Sequence, residues 1–330
     1  MIRWSSRLLF LVICLAFLPV RTPAPLVYRP GEGFTYESEG GSKWHRNRAK
    51  EQLEVAEEAF KANDFEMARK AAARTVRVWP LSDYAPRAQY LLARAYEEEG
   101  KDEKAFREYQ RVVEKYPKIE NYNEILERQH AIANRYLAGK WFKLWGVIPF
   151  FPSMDRTAEM YEKIIRNGPF SPTAPQSQMN IGAAREKQSD YPEAVKAYER
   201  AADKYHDQPQ IAADALYKAG IAYFKQAKTA EYDQSVAGKA IGTFGDFLTL
   251  YPKDPRVPEV EKIIASLRAE QARGSFKIAE FYEKRNRLDG ALVYYNEALI
   301  KDPNSPYADQ ARQRIQAIQA RKQKTTAAAK

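Results

Sequence analysis

Apolar side chains recur along most of this chain at helical spacing, with charged and amide side chains between them. The last such run is plain to see: Tyr307, Ala311, Ile315 and Ile318 fall on one face of a predicted helix over 306–322, and its other face is rich in Gln and Arg. The predicted helices also stop in a regular way. Trp79-Pro80, Tyr116-Pro117 and Tyr251-Pro252 each end an apolar run, because the residue before proline is pushed out of the α region. Polar turns such as the one at 98–102 (EEGKD) separate the runs in between. One stretch does not fit. Residues 138–155 read AGKWFKLWGVIPFFPSMD, where Gly139, Gly146, Pro149 and Pro152 prevent a continuous helix while aromatic residues crowd together.

Aligning the chain with itself turns these runs into a repeat. Ala93, Ala105, Tyr109, Val112 and Pro117 stand at successive offsets of 12, 4, 3 and 5, and Gly182, Ala194, Tyr198, Ala201 and His206 repeat them. So do Ala279, Ala291, Tyr295, Ala298 and Pro303. Ala56, Ala68, Ala72, Thr75 and Pro80 keep the spacing without the aromatic residue, and partial copies begin at Thr157 and Ala240. This is the tetratricopeptide pattern, with a period of about 34 residues. Small residues let paired helices approach closely, the Tyr or Phe fills the gap to the next pair, and Pro stops the second helix. The expected fold is all-α: a solenoid of tetratricopeptide helix pairs forming a superhelix. Six pairs are predicted, at 45–80, 85–117, 122–169, 174–206, 211–252 and 258–303, with a capping helix to 322. Insertions interrupt the third pair at 139–154 and the fifth at 225–238.

Composition and charge settle the ends. The chain has 330 residues, a net charge of +10, a pI near 9.3 and a mean hydropathy of -0.63, which excludes a polytopic membrane protein. The charge suggests nucleic acid until it is located. Residues 1–30 hold Arg3, Arg7, Arg21 and Arg29 with no acid; residues 311–330 hold six bases with no acid; the body between is neutral. No nucleic-acid partner is therefore expected. Arg3 and Arg7 precede an apolar run over 8–20, which reads as an export signal or N-terminal anchor over 1–24. A flexible linker follows at 25–43, then the solenoid at 44–322 and a disordered basic tail at 323–330. The one cysteine, Cys14, closes Leu11-Val12-Ile13-Cys14, half a bacterial lipobox with Ile13 where a small residue belongs. Lipidation of Cys14 and an unmodified cysteine in a signal core both remain open.

No catalytic constellation emerges. His45, His130 and His206 are scattered, with no second ligand at i+3 or i+4, and no glycine-rich phosphate loop occurs. No catalytic residue, metal, cofactor or small-molecule substrate is expected. The candidate contact residues are Lys140, Trp141, Phe142, Lys143, Trp145, Phe150 and Phe151. They suit either extra core folded into the solenoid groove or a surface for a protein partner or the membrane interface. The block over 241–305 resembles the second half of the BamD family, the tetratricopeptide lipoprotein of the outer-membrane β-barrel assembly machine. Phe244, Phe247, Tyr251 and Pro252 form its helix end, Ala279 and Tyr282 close a long helix, and YYNEALIKDP follows. The interruption at 225–238 is also similar. The chain departs from that pattern in its lipobox, in carrying more repeats, and in a last repeat without its second helix. The resemblance implies a non-enzymatic periplasmic scaffold at the inner face of the outer membrane, with assembly-machine subunits and unfolded barrel clients as partners. The alternative is a periplasmic adaptor in envelope maintenance or cell division.

Overall fold

The computed structural model describes residues 26–36, 44–144, 148–151, 153–229 and 234–328. Cys14, the segment 1–24 and Trp145 lie outside them. The described residues form thirteen helices and two short hairpins, an all-α tetratricopeptide fold. None of the described helices is long and apolar enough to cross a membrane. The chain divides into two compact units, Met1–Tyr122 and Asn123–Lys330.

The first unit holds α1 (Ala49–Lys61), α2 (Phe65–Val78), α3 (Ala85–Glu98) and α4 (Asp102–Lys115). Before them stands an antiparallel hairpin of β1 (Leu26–Arg29) and β2 (Gly33–Tyr36), in a stretch that the sequence suggests is linker. Gly31 (φ 77°) and Gly33 (φ 76°) make its turn in the left-handed region. The turn is pinned to the helices, because the Asp83 N–H donates to the Gly31 carbonyl at 2.8 Å.

The second unit holds α5 (Tyr122–Leu137), a hairpin of β3 (Phe142–Leu144) and β4 (Ile148–Phe151), then α6 (Met154–Asn167), α7 (Ala174–Lys187) and α8 (Tyr191–Lys204). It continues through α9 (Pro209–Thr229), α10 (Gln234–Leu250), the long α11 (Val257–Lys284), α12 (Leu288–Lys301) and α13 (Pro306–Ala328). Two boundaries differ from the sequence reading. In the fifth pair α9 runs to Thr229 and α10 begins at Gln234, so helix takes up both flanks of the insertion expected at 225–238. The last helix runs to Ala328, through most of the supposed tail.

One turn recurs between paired helices. Asn63 (φ 60°), Gly100 (φ 70°), Ser189 (φ 60°) and Asn286 (φ 56°) each sit in the left-handed region, five residues before Ala68, Ala105, Ala194 and Ala291. The next N–H reaches back to the first helix's last turn: Asp64 to Ala59, Lys101 to Tyr96, Asp190 to Arg185 and Arg287 to Tyr282, at 2.9–3.0 Å. Asp64 and Asp190 then cap the second helix, accepting from the Met67 and Glu193 N–H groups. The four alanines that follow are fully buried.

In the pairs that have one, the aromatic residue four positions after this alanine lies across its own pair. A Cβ added at Gly182 would fall 2.4 Å from the Tyr198 ring, and one at Gly220 would fall 2.5 Å from the Phe244 ring. These positions stay small because the partner helix's ring occupies the space. Tyr198 also packs with Ala215 and Ala219 of the next helix, so the ring joins one pair to the following one.

Candidate partner-binding surfaces

The aromatic excursion begins at a turn of the same kind. At Gly139 (φ 111°) the chain closes α5 as it closes the other first helices, with the Lys140 N–H donating to the Arg135 carbonyl at 3.0 Å. A hairpin follows instead of a helix. Phe142 pairs with Phe151, Lys143 with Pro149 and Leu144 with Ile148, so β4 carries one extra residue, a bulge between the first two pairs. Ser153 then caps α6, its hydroxyl accepting from the Arg156 N–H at 3.3 Å.

The two aromatic residues described here face opposite ways. Trp141 is 52% exposed, whereas Phe142 is only 5% exposed. Phe142 stacks on Tyr136 with ring centres 4.2 Å apart, and the Arg156 guanidinium stands 5.3 Å from its ring centre. Phe142, grouped with the contact residues on sequence grounds, is therefore a packing residue that roots the hairpin on α5 and α6. Lys140 is partly buried. The side chains of Lys143, Phe150 and Phe151 fall outside the described residues, as does the whole of Trp145.

The repeat tyrosines carry a second element that their spacing alone does not reveal. Tyr109 donates its hydroxyl to Glu97 (2.7 Å), Tyr198 to Glu186 (2.6 Å) and Tyr295 to Glu283 (2.6 Å). Each glutamate stands four residues after the small residue of its first helix: Ala93, Gly182 or Ala279. In the interrupted pair Tyr161 donates to Asn134 at 2.6 Å. Burial first, and then the neighbouring carboxylate, raises the pKa of Tyr198 and of Tyr295 well above the usual tyrosine range. The same fixed spacing in the sequence would have found these glutamates.

Around Asn134 several polar side chains meet. Asn180 Nδ2 donates to Asn134 Oδ1 at 2.9 Å, and His130 Nδ1 meets Ser177 Oγ at 2.9 Å beside the Tyr161 ring. Burial lowers the His130 pKa, so the ring is neutral near pH 7. Ser177 is fully buried, out of reach of a substrate, so the pair reads as packing rather than a nucleophile and its base. Among the described residues no three His, Cys, Asp or Glu side chains are grouped to hold a metal ion. Among the described residues the most exposed large apolar side chains are Phe170 (95%) and Leu81 (93%), each directly after a helix-stopping proline, Pro169 or Pro80.

Residues 53–118 match the tetratricopeptide repeat family. Residues 153–328 match the YfiO family, described as an outer membrane lipoprotein. No curated protein matches the chain. Among solved structures, the C-terminal part of a TPR repeat-containing protein from Cytophaga hutchinsonii is 15% identical, with 80% of this chain and 88% of that chain covered and a TM-score of 0.36. A tetratricopeptide repeat protein from Parabacteroides merdae is 11% identical, with 82% and 98% covered and a TM-score of 0.31. YrrB, a TPR protein with an unusual peptide-binding site, is 13% identical, with 65% and 92% covered and a TM-score of 0.34. Because the YfiO match takes in more than half of its length, the chain belongs to that outer membrane lipoprotein family, a family of protein-interaction modules.

Proposed function

We propose that this protein is a non-enzymatic periplasmic scaffold, held at the inner face of the outer membrane, that serves the assembly and insertion of β-barrel proteins. In this reading it binds a subunit of the assembly machine and unfolded barrel clients. The observation that carries the reading is the family match over residues 153–328. Stacked helix pairs suit the work, since they offer long surfaces to extended polypeptides. The 139–154 excursion is then a contact surface for a partner or the membrane interface, with Trp141 its outward residue. Cys14 is the only cysteine in the sequence given, and in this reading it carries the lipid anchor.

Affinity capture of the native protein from crosslinked envelopes tests the role. The expected result is recovery of the central barrel subunit of the assembly machine. Recovery of cell-division or peptidoglycan-linked proteins in its place would overturn the assembly role and favour an envelope adaptor.

A further inference from the structure

A cleft of about 580 Å³ opens among α9, α10 and α11 of the second unit. That volume lies within the range of small-molecule sites. Its apolar wall is made by Phe224, Ala227, Ala237, Leu267 and Ile278. Gly274 and the side chain of Gln234 complete the wall where the first turn of α10 meets α11.

The polar groups around this wall are largely used by the protein itself. Ser266 Oγ donates to the Ile263 carbonyl at 2.7 Å, and Gln271 Nε2 donates to the Gln234 carbonyl at 3.1 Å. Glu270 is held by Arg273, whose Nε donates to both carboxylate oxygens at 3.0 and 2.8 Å, so its charge is locally balanced. Among the described lining residues the net charge therefore comes from two lysines. Lys228 holds its ammonium 4.4 Å from the Phe224 ring centre, and Lys277 is exposed. Among the described residues neither has an acidic partner. The cleft also receives the first residue of α10, the positive end of a 17-residue helix.

An extended peptide would need backbone hydrogen-bonding partners along this wall, and Ser266 Oγ and Gln271 Nε2 are already used within the protein. An alkyl chain with one acid head needs only an apolar wall and cations at its mouth. We propose that the cleft binds an amphiphilic carboxylate of the fatty-acid class. Its chain lies along Phe224, Ala237 and Leu267, and its carboxylate faces Lys228 and Lys277. The proposal is of binding alone, with no chemistry on the ligand, and it is independent of the assembly role.

The test is a titration of the full chain, methyl-labelled at Ala, Leu and Ile, with sodium dodecanoate below its micelle concentration. Saturable one-to-one shifts are expected at Ala237, Leu267 and Ile278. Lys228→Glu with Lys277→Glu should weaken binding about tenfold, because two favourable charges become repulsive. Lys115→Glu, on an exposed lysine of the first unit, should leave binding unchanged. Dodecyltrimethylammonium, with the same chain and the opposite charge, should not produce these shifts. Equal binding of the cationic amphiphile overturns the proposal, as does an unaltered affinity in the double variant. Non-saturating shifts spread over Leu81, Leu250 and Ile300 would mean detergent partition and overturn it too. Shifts that follow protein concentration without ligand would show a second copy in the cleft. Displacement of dodecanoate by an end-blocked peptide of leucines and glutamates would show a protein partner there. Either result also overturns the assignment.

Discussion

Removing one hydroxyl isolates the bond that ties a repeat tyrosine to its glutamate. In Tyr198→Phe the ring remains against Gly182, Ala215 and Ala219, so packing is kept and only the 2.6 Å bond to Glu186 is lost. Hydrogen bonds to charged acceptors contribute about 1.5–3 kcal/mol. Glu186 keeps Lys225 at 3.0 Å and is not left bare, which places the loss at the low end, about 1.5 kcal/mol. The pH dependence gives an independent check. Burial and Glu186 raise the Tyr198 pKa in the folded protein, whereas an unfolded tyrosine ionises near pH ~10. This tyrosine's contribution is therefore complete below about pH 10 and is lost as the pH rises towards the folded pKa, by about 1.4 kcal/mol for each pH unit. The phenylalanine variant has no such loss. The gap between the two proteins should be about 1.5 kcal/mol near pH ~8 and should close by about pH 11. Urea unfolding at both pH values measures it. Hydrogen exchange of α7 and α8 reports the local effect, since repeat arrays need not unfold as one unit. A gap below about 0.3 kcal/mol at the lower pH, or one that persists at the higher, refutes the reasoning.

Three further outcomes are expected. Ala194→Leu, at a fully buried position beside Tyr198, should overpack the helix pair by about 1–3 kcal/mol, whereas Glu98→Gln on α3 should stay within about 0.5 kcal/mol; equal tolerance in thermal melts would mean that the repeat register is wrong. Phe142→Ala should lower stability by about 3 kcal/mol, while Trp141→Ala should leave melting nearly unchanged and reduce envelope co-purification or vesicle binding; a large loss of stability at Trp141 with partner capture intact would make it packing instead. Metabolic labelling with a palmitate analogue should mark the wild-type chain and fail on Cys14→Ser, and an unlabelled wild-type chain would remove the proposed anchor.

The helix pairs were legible because few residue types satisfy their packing: alanine or glycine where helices meet, tyrosine or phenylalanine across them, and proline at the end. The turn between them was not legible in the same way. Asn63, Gly100, Ser189 and Asn286 share a backbone conformation but not a residue type, so identity hides a position that geometry makes plain. The hairpin at Leu26–Tyr36 escaped for a related reason, since two four-residue strands are too short for alternation to stand out beside PGEG. In the aromatic excursion, glycine and proline marked a departure from helix, but the direction of each ring was beyond the sequence. A bulge of one residue moves the side chains that follow to the other face, and β4 has one opposite the step from Phe142 to Lys143. What the structure adds is where the excursion was inserted. It leaves after the Gly139 turn, where the first helix ends in any case, and it returns at the Ser153 cap, where the second begins. Tyr161 still reaches Asn134 across the interrupted pair, as Tyr198 reaches Glu186 in an unbroken one. Lengthening a connection at such a point costs only about 0.6 kcal/mol for each doubling of the loop. The turn, the cap and the Tyr161–Asn134 bond thus close the pair outside the hairpin, and Phe142 packs only the hairpin's root against Tyr136. The proposed contact with another molecule therefore rests on the outward side of the segment, at the half-exposed Trp141, and not on Phe142.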